Sequence, residues 1–195
     1  MKKRIFDLLF SLIGIIILFP LFIMISILIK IDSSGPIFFT QKRVGRNADI
    51  FSLIKFRSMH INQESHSTIS IKGDNRVTRV GIILRKYKLD ELPELWNVII
   101  GEMSLVGPRP DVPGYADKLE GLEREILNLR PGITGMASLK YINEEEILST
   151  KDNPKKYNDE VIFPEKVKIN REYYNNQSLW LDIKIIFATI FRTSY

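Results

Sequence analysis

The most prominent feature of the hydropathy pattern is a run of 22 residues without a charged side chain, at positions 8–29. Only Ser11, Gly14, Pro20 and Ser26 interrupt the apolar side chains. As an α-helix the run would be about 33 Å long, which matches a bilayer core of about 30 Å. A helix that is apolar on every side is hard to bury inside a small domain, so we expect it to insert into a membrane.

The flanks and the centre of this run leave its course through the membrane open. Basic residues lie on both sides, at Lys2, Lys3 and Arg4 before the run and at Lys30, Lys42, Arg43 and Arg46 after it. Positive flanks favour the cytoplasmic side, and here both ends carry them. Pro20 lies near the middle, where it removes a backbone hydrogen bond and tends to kink the helix. The residues alone therefore fit both a spanning helix and a re-entrant helix that enters and leaves by the same leaflet.

The rest of the pattern predicts an α/β domain that is mostly helical and has a small β element. Alternating, β-branched and aromatic positions mark the strands, while apolar residues at helical spacing mark the helices. We predict strands at 37–41 and 50–57, a polar loop at 60–75, helices at 78–86, 92–100 and 118–129, and helix plus loop at 143–160. The apolar segment 179–192 is too short to span a bilayer comfortably. It fits an amphipathic helix at the membrane interface, with Trp180 at headgroup depth, or a helix packed on the core.

Composition removes several classes of chemistry. The chain has no cysteine and only two histidines, His60 and His66. A disulfide framework, a thiolate zinc site and a cysteine nucleophile are therefore excluded, and there is little room for a histidine-rich metal site or a Ser-His-Asp triad. Carboxylates, lysines and arginines are the groups left to carry chemistry.

The positive charge is concentrated in one part of the chain. The net charge is +5, but residues 40–90 hold 11 basic and 4 acidic side chains, while residues 91–195 hold 13 basic and 17 acidic ones. Such a basic block suits an anionic partner, which could be a phosphorylated substrate, anionic lipid or nucleic acid. Aromatic residues that could stack on bases are sparse in the block, so we expect no nucleic acid partner.

The adjacent carboxylates Asp90 and Glu91 stand just before Pro93, which marks the beginning of a predicted helix. The positive end of a helix dipole stabilises anions there. Both side chains could hold Mg²⁺, which prefers oxygen ligands, and an aspartate can attack phosphorus directly. The simpler alternative is that Asp90 caps the helix and Glu91 faces water.

Cationic residues close to this pair favour a phosphorylated substrate. Arg85, Lys86 and Lys88 precede it, and Lys55 and Arg57 would share one face of a strand. The sequence Gly107-Pro108-Arg109-Pro110 cannot be regular helix and presents one arginine from a rigid turn. Arginine binds phosphate in a bidentate manner and lysine acts as a point charge. A solvated basic face and a purely structural turn remain the alternatives.

These motifs occur together and in order along the chain. They are the basic-flanked apolar run with Pro20, QKRVG at 41–45, KFRSM at 55–59, LR at 84–85, LDELPELWNV at 89–98, GEMSLVGPRP at 101–110, RPGITG at 130–135 and SLWLD at 178–182. In this they resemble the bacterial sugar transferase family, the small monotopic phosphoglycosyl transferases, over nearly the whole chain.

The resemblance implies a chemistry and a set of site residues. Such enzymes transfer a sugar-1-phosphate from a UDP-sugar to polyprenyl phosphate, release UMP and start a surface glycan. Asp90 would be the nucleophile that forms a phosphosugar intermediate, and Asp90 and Glu91 would hold Mg²⁺. Lys55, Arg85 and Arg109 match family positions near the phosphates. From their motifs we add Arg57 and Pro110 as substrate-binding residues.

The resemblance also implies a place in the cell. The family's first segment is a re-entrant helix broken near the proline that matches Pro20, which decides between the two membrane courses. We therefore expect residues 1–36 to form a re-entrant membrane helix and turn, and residues 37–195 to form a catalytic domain with a C-terminal interfacial helix. This monotopic protein would lie in the bacterial inner membrane, with its catalytic domain at the cytoplasmic face.

Some features depart from the family or leave choices open. Many members have a Gln-x-Asn-Gly-Arg run where this chain has residues 138–142, and an aspartate where it has Asn170. The sequence specifies neither the sugar, the glycan pathway nor the polyprenol length, and it leaves formation of a homodimer open. The rival functions are a non-catalytic membrane-tethered module that binds anionic lipid or nucleic acid, and a scaffold subunit of a glycan assembly complex.

Overall fold

A computed structural model describes residues 2–60 and 75–191 of the chain. Its α-helices are α1 (Lys2–Asp32), α2 (Arg79–Lys86), α3 (Glu94–Ile100), α4 (Met136–Lys140), α5 (Glu144–Ser149), α6 (Pro154–Tyr157), α7 (Phe163–Asn176) and α8 (Leu179–Phe191). Its strands are β1 (Phe38–Val44), β2 (Ile50–Phe56), β3 (Ser104–Val106) and β4 (Gly132–Thr134). The predicted polar loop at 60–75 lies almost entirely outside the described residues.

Helix α1 is continuous from Lys2 to Asp32 and contains Pro20. Within the described part of the chain it is the one helix long and apolar enough to cross a membrane. Its middle is uncovered, with Ile16 65% and Ile17 70% exposed. The predicted hairpin is not confirmed, because the helix is unbroken at Pro20. The proline removes only the hydrogen bond to the carbonyl of Ile16, and the residues on both sides continue the helical backbone.

Both ends of α1 contact the same domain. Near the amino end, the guanidinium of Arg4 donates hydrogen bonds to the carbonyls of Val98 (2.5 Å) and Ile99 (2.9 Å), at the end of α3. Towards the other end, Ile25 and Ile29 are buried in a cluster with Phe56 and Leu84. At the last residue, the carboxylate of Asp32 accepts a hydrogen bond of 2.9 Å from the backbone N–H of Val80, in the first turn of α2. The helix therefore lies along the domain, and the exposed apolar face is the one turned away from it.

The first sheet is an antiparallel hairpin of β1 and β2, in which Phe38 pairs with Phe56 and Val44 with Ile50. The two predicted strands are confirmed, although the first extends to Val44. The second sheet is the parallel pair of β3 and β4, with Ser104 opposite Gly132 and Val106 opposite Thr134. Each of these strands has three residues, which is too short for an alternating pattern to be visible in the sequence.

The two segments of the second sheet approach at backbone distance. A Cβ atom placed on Gly132 would lie 2.1 Å from the backbone nitrogen of Gly107, and one placed on Gly107 would lie 2.4 Å from the carbonyl oxygen of Arg130. Because no real Cβ contact is so short, only glycine fits at either position. The pair of glycines thus allows the turn at 107–110 to lie directly on the segment at 130–132.

The predicted helices around the acidic pair are confirmed within two residues as α2 and α3. By contrast, the predicted amphipathic α-helix at 118–129 is wrong, because the structure has 3₁₀ turns at Ala116–Lys118 and Gly121–Asn128. The left-handed backbone of Gly121 (φ 54°) interrupts the chain between them. The acidic segment 143–160 contains α5, α6 and the beginning of a π-helical turn at Asn158–Ile162.

Helix α8 combines both sequence interpretations of the carboxyl-terminal segment. Asp182, Ile185 and Ala188 are buried against the domain. The opposite face is apolar and exposed, at Trp180, Phe187, Ile190 and Phe191. Helix α7 is absent from our prediction, and it buries Val167, Asn170 and Tyr173 at a spacing of three residues. Asn170, one of the departures noted above, therefore lies in the interior of the domain.

Candidate active site

The acidic pair lies on a short 3₁₀ turn, Leu89–Glu91, between α2 and α3. Lys88 precedes the turn in a left-handed conformation (φ 57°), which interrupts the helical backbone after α2, and Glu91 then contacts Lys55 of β2. Asp90 and Glu91 are each 8% exposed. The alternative that Glu91 faces water is therefore wrong.

Glu91 is held by two cations that the sequence analysis selected. Lys55 Nζ lies 2.8 Å from Glu91 Oε1. The guanidinium of Arg109 contacts both carboxylate oxygens, through Nη2 to Oε1 and through Nη1 to Oε2 at 3.4 Å. Burial acts to raise the pKa of Glu91, but the charges of Arg109 and Lys55 outweigh it and hold the pKa well below its ordinary value. Glu91 therefore stays ionised at neutral pH and anchors both cations.

Glu94 is a third carboxylate of the site and was not predicted. It is 2% exposed and lies 3.2 Å from Lys55 Nζ, so that Lys55 bridges Glu91 and Glu94. Burial raises the pKa of Glu94 to about 7, against the opposing charge of Lys55 and with a further contribution from Glu91. Its position three residues after Glu91, at the beginning of a predicted helix, was the available signal.

The raised pKa of Glu94 predicts a pH-dependent cost to stability. The unfolded chain releases this proton near the ordinary pKa of 4.5 and the folded protein near 7, so stability falls as the pH rises through that interval. The charged groups that face Glu94 are Glu91, Lys55 and Arg109. The pKa of Glu91 lies below this pH interval, so Glu91 does not titrate within it. We expect Glu94→Gln to remove this dependence. The difference in free energy of unfolding between variant and wild type should grow by about 2 kcal/mol in favour of the variant as the pH rises from 5 to 8. Melting temperatures in detergent at each pH measure it, and parallel wild-type and variant curves would contradict it.

Asp90 differs from its neighbour in having a free oxygen. Its Oδ1 atom is buried and has no hydrogen-bond partner among the described residues. Burial and the charge of Glu91 raise the pKa of Asp90, while Lys55, Lys88 and Arg85 act in the opposite direction. An unpaired carboxylate oxygen that is shielded from water and surrounded by cations is available to attack an electrophile or to bind a cation.

The chain holds β2 and α3 together so that these groups meet. Asn97 is fully buried, and its side chain accepts a hydrogen bond from Ile54 N (3.1 Å) and donates one to Ser52 O (2.9 Å). It thus occupies the edge of β2 as a neighbouring strand would. Lys55, the next residue along β2, is thereby placed over the turn that carries Glu91.

The turn that carries Arg109 is fixed from two sides. Gly107 N donates to the carbonyl of Thr134 (2.9 Å), and the carbonyl of Pro110 accepts from Arg43 Nη1 (3.2 Å). Pro110 therefore acts through its backbone in this structure, and Arg43 is a supporting residue that was not among the predicted site residues.

Two of the predicted substrate-binding residues have other partners here. Arg85 pairs with Glu145 of α5, and its charge still reaches Asp90, where it partly opposes the rise in pKa that burial causes. Arg57 is 3% exposed and donates to the carbonyls of Ser33 (2.8 Å) and Ser34. Arg57 thus holds the turn after α1, while Lys55 and Arg109 reach the carboxylates. The roles of these residues toward substrate stay predictions.

One large open cleft contains the site. Its lining joins the cationic and acidic groups to apolar side chains of the first helix: Phe6, Phe10, Leu18, Lys55, Arg85, Lys88, Asp90, Glu91 and Arg109. A ligand with a charged end and an apolar end therefore finds both kinds of surface within the cleft.

The donor atoms fit a magnesium ion whose remaining ligands come from a substrate and from water. In the described part of the chain no cluster of three or more His, Asp or Glu side chains could hold a metal by itself. Mg²⁺ is commonly bound through one or two carboxylates and completed by phosphate oxygens and water. The unpaired Asp90 Oδ1 is the free donor of that smaller set, and Glu91, whose oxygens also accept from Arg109 and Lys55, would be the second ligand.

A model of the bacterial sugar transferase family matches residues 1–194. The chain is 38% identical over 196 residues to the UDP-N-acetylgalactosamine-undecaprenyl-phosphate N-acetylgalactosaminephosphotransferase of Aeromonas hydrophila, covering 96% of this chain and 42% of that protein. It is 40% identical over 200 residues to the undecaprenyl-phosphate glucose phosphotransferase of Komagataeibacter xylinus, covering 98% of this chain and 36% of that protein.

A shorter relative matches over most of its length. The exopolysaccharide production protein ExoY of Sinorhizobium fredii is 35% identical over 205 residues, which cover 97% of this chain and 84% of that protein. The chain spans 42% and 36% of the length of the two longer relatives. The family model covers residues 1–194 and therefore includes every residue of the site described above.

Proposed function

Because this chain belongs to the bacterial sugar transferase family, we propose that it transfers a sugar-1-phosphate from a UDP-sugar to undecaprenyl phosphate or a related polyprenyl phosphate. The products would be UMP and a polyprenyl-diphosphate-linked sugar that begins a surface glycan. The observation that carries this proposal is the unpaired, buried Oδ1 of Asp90 beside the ion network of Lys55, Glu91 and Arg109.

The first step is a displacement at the phosphorus that carries the sugar. A carboxylate oxygen of Asp90 attacks this β-phosphorus and forms an acyl-phosphate bond. The bond between that phosphorus and the bridging oxygen of the diphosphate breaks, and the electron pair leaves with UMP. The cleft holds Lys55, Arg85 and Arg109, whose charges suit the phosphate oxygens on which negative charge accumulates.

The second step returns the enzyme to its starting state. A phosphate oxygen of the polyprenyl phosphate attacks the same phosphorus, and the acyl-phosphate bond breaks. Asp90 is regenerated as a carboxylate, and the sugar phosphate is now joined to the lipid as a diphosphate. Asp90 and Glu91 would hold Mg²⁺, which when bound supplies positive charge to the diphosphate oxygens.

We propose a monotopic course for α1, because both of its ends rest on one domain. A spanning helix would place one end on the far side of the bilayer. Arg4 at one end and Asp32 at the other are bonded to α3 and α2 of the same domain, which supports attachment from a single face. The uncovered apolar faces of α1 and α8, including Ile17 and Trp180, are suited to enter the leaflet. The phosphate of a lipid acceptor lies at that depth, so the two substrates meet at the site.

The decisive experiment uses the full chain in detergent or lipid nanodiscs with Mg²⁺ and undecaprenyl phosphate. UDP-glucose, UDP-galactose and UDP-N-acetylgalactosamine are supplied separately, and UMP is measured. We expect at least one of these donors to release about one equivalent of UMP per enzyme without the lipid phosphate, and to release UMP catalytically only when the lipid phosphate is present in excess over enzyme. Binding to anionic vesicles that is unchanged by every UDP-sugar, with no UMP from any of them, would favour the membrane-tethered binding module instead.

A further inference from the structure

Asp7, near the start of α1, is buried in the domain although it stands next to the apolar run. It is 2% exposed, and the proposed chemistry gives it no role. Its carboxylate accepts a hydrogen bond from Ser104 Oγ at 2.9 Å and one from the backbone N–H of Leu105 at 3.2 Å. Both donors belong to β3, so the membrane helix is attached to this strand through one side chain.

The carboxylate of Asp7 lies along the edge of β3 that β4 does not cover. On the covered edge, Ser104 pairs with Gly132 and Val106 with Thr134. The intervening N–H of Leu105 would otherwise be a backbone donor without a partner at that edge. Asp7 supplies the acceptor that a third strand would supply, and β3 is thus fixed between β4 and α1.

The position of β3 determines the position of Arg109. The strand ends at Val106, and the turn that follows contains Pro108 and Pro110, whose rings limit φ and leave little freedom to absorb a shift. The carbonyl of Pro108 accepts a hydrogen bond of 2.8 Å from Gly132 N. A displacement of β3 would therefore move the guanidinium of Arg109 relative to Glu91, which it binds through both oxygens.

We propose that Asp7 is a positioning residue for Arg109. By binding the free edge of β3, Asp7 fixes the position from which the guanidinium of Arg109 reaches Glu91 and the substrate phosphates. An ordered site then depends on correct placement of α1 in the membrane. The inference rests on the proposed function, because it concerns the arginine that the reaction uses.

The test is a double-mutant cycle on the full chain in nanodiscs. We expect Asp7→Ala to lower kcat for UMP release by roughly 10- to 100-fold in the wild-type background. In an Arg109→Lys background, where the bidentate contact is already lost, the same change should lower kcat by less than about 3-fold. A residue that merely supports folding would lower kcat by the same factor in both backgrounds, and that result would overturn the proposal.

Lys3→Met is the matched control. It removes an ion pair of the same part of α1, between Lys3 Nζ and the buried Asp182 at 2.5 Å, and the direct partners of Lys3 belong to α7 and α8 rather than to β3. We expect its effect on kcat to be equal in the two Arg109 backgrounds. If Asp7→Ala and Lys3→Met behave alike in the cycle, general loosening of α1 is the cause and the proposal fails.

A second variant and a binding measurement complete the test. If Asp7→Ala does not yield a monodisperse protein, Ser104→Ala removes one of the two hydrogen bonds from the other side and takes its place in the cycle. Its loss in kcat should be smaller in the wild-type background and again weaker in Arg109→Lys. Binding of UMP provides a readout without turnover. If the wild type releases no UMP from any donor, the proposed function fails. The positioning role is then judged by whether Asp7→Ala weakens UMP binding in the wild-type background but not in Arg109→Lys.

Discussion

Replacing Asp90 by asparagine is expected to abolish the release of UMP. The substitution keeps the size of the side chain but removes the nucleophilic oxygen that the proposed first step requires, and loss of a covalent nucleophile typically costs about 10⁴- to 10⁶-fold in kcat. Initial rates of UMP formation measure this loss. Intact-protein mass spectrometry of a quenched wild-type reaction without acceptor should show the added mass of a phosphosugar, and Asp90→Asn should not.

Stability provides an internal check on the same variant. Burial raises the pKa of Asp90, so ionisation of this carboxyl lowers the stability of the folded state above the ordinary pKa of 3.8. Asp90→Asn should therefore melt no lower than wild type at pH 7.5, which separates lost chemistry from lost folding. Asp152→Asn, at an exposed aspartate, should retain full activity. A wild-type rate in Asp90→Asn would contradict the nucleophile assignment.

The second large effect is expected at Glu91, where one carboxylate balances two cations. Glu91→Gln leaves Arg109 without its carboxylate partner and leaves Lys55 paired with Glu94 alone. Removing one partner of a buried ion pair costs about 3–5 kcal/mol. For a protein of this size that corresponds to a fall in melting temperature of roughly 10 °C. We expect kcat to fall by at least about 100-fold, because Arg109 loses the contact that fixes its position and Lys55 is drawn towards Glu94.

Glu160→Gln is the control for this variant. Glu160 pairs with Lys156 at 3.9 Å on the surface, with both side chains more than half exposed. Exposed pairs of this kind contribute little, so neither stability nor UMP release should change measurably. Equal melting temperatures for Glu91→Gln and Glu160→Gln would show that the buried network does not organise the site.

Local patterns selected several candidate residues of the site, and the family resemblance supplied the roles expected of them. Asp90 and Glu91 were selected because they are adjacent and precede Pro93, and Lys55 because its strand alternates. Glu94 was missed because its burial depends on the packing of α3 against β2, which Asn97 secures across about 43 residues of chain. No window of the sequence contains both elements.

The contacts of the predicted cations show a similar limit. Alternation placed Lys55 and Arg57 on one face, but β2 ends at Phe56 and Arg57 is then directed by the carbonyls of the turn after α1. The apolar run was correctly predicted as a helix from composition. Its attachment at both ends was not visible, because Asp7 and Asp32 are ordinary polar flanks until their partners on β3 and α2 are known.

The contact between Gly107 and Gly132 restricts how this protein can change over generations. Each missing Cβ would meet backbone atoms of the opposite segment, so no compensating replacement of a side chain at the other position can relieve the collision. At an ordinary pair of core positions, a larger side chain on one residue can be offset by a smaller one on the other, whereas at these two positions it cannot. Descendants of this sequence can therefore vary the surroundings of the arginine turn, but both glycines must be inherited together.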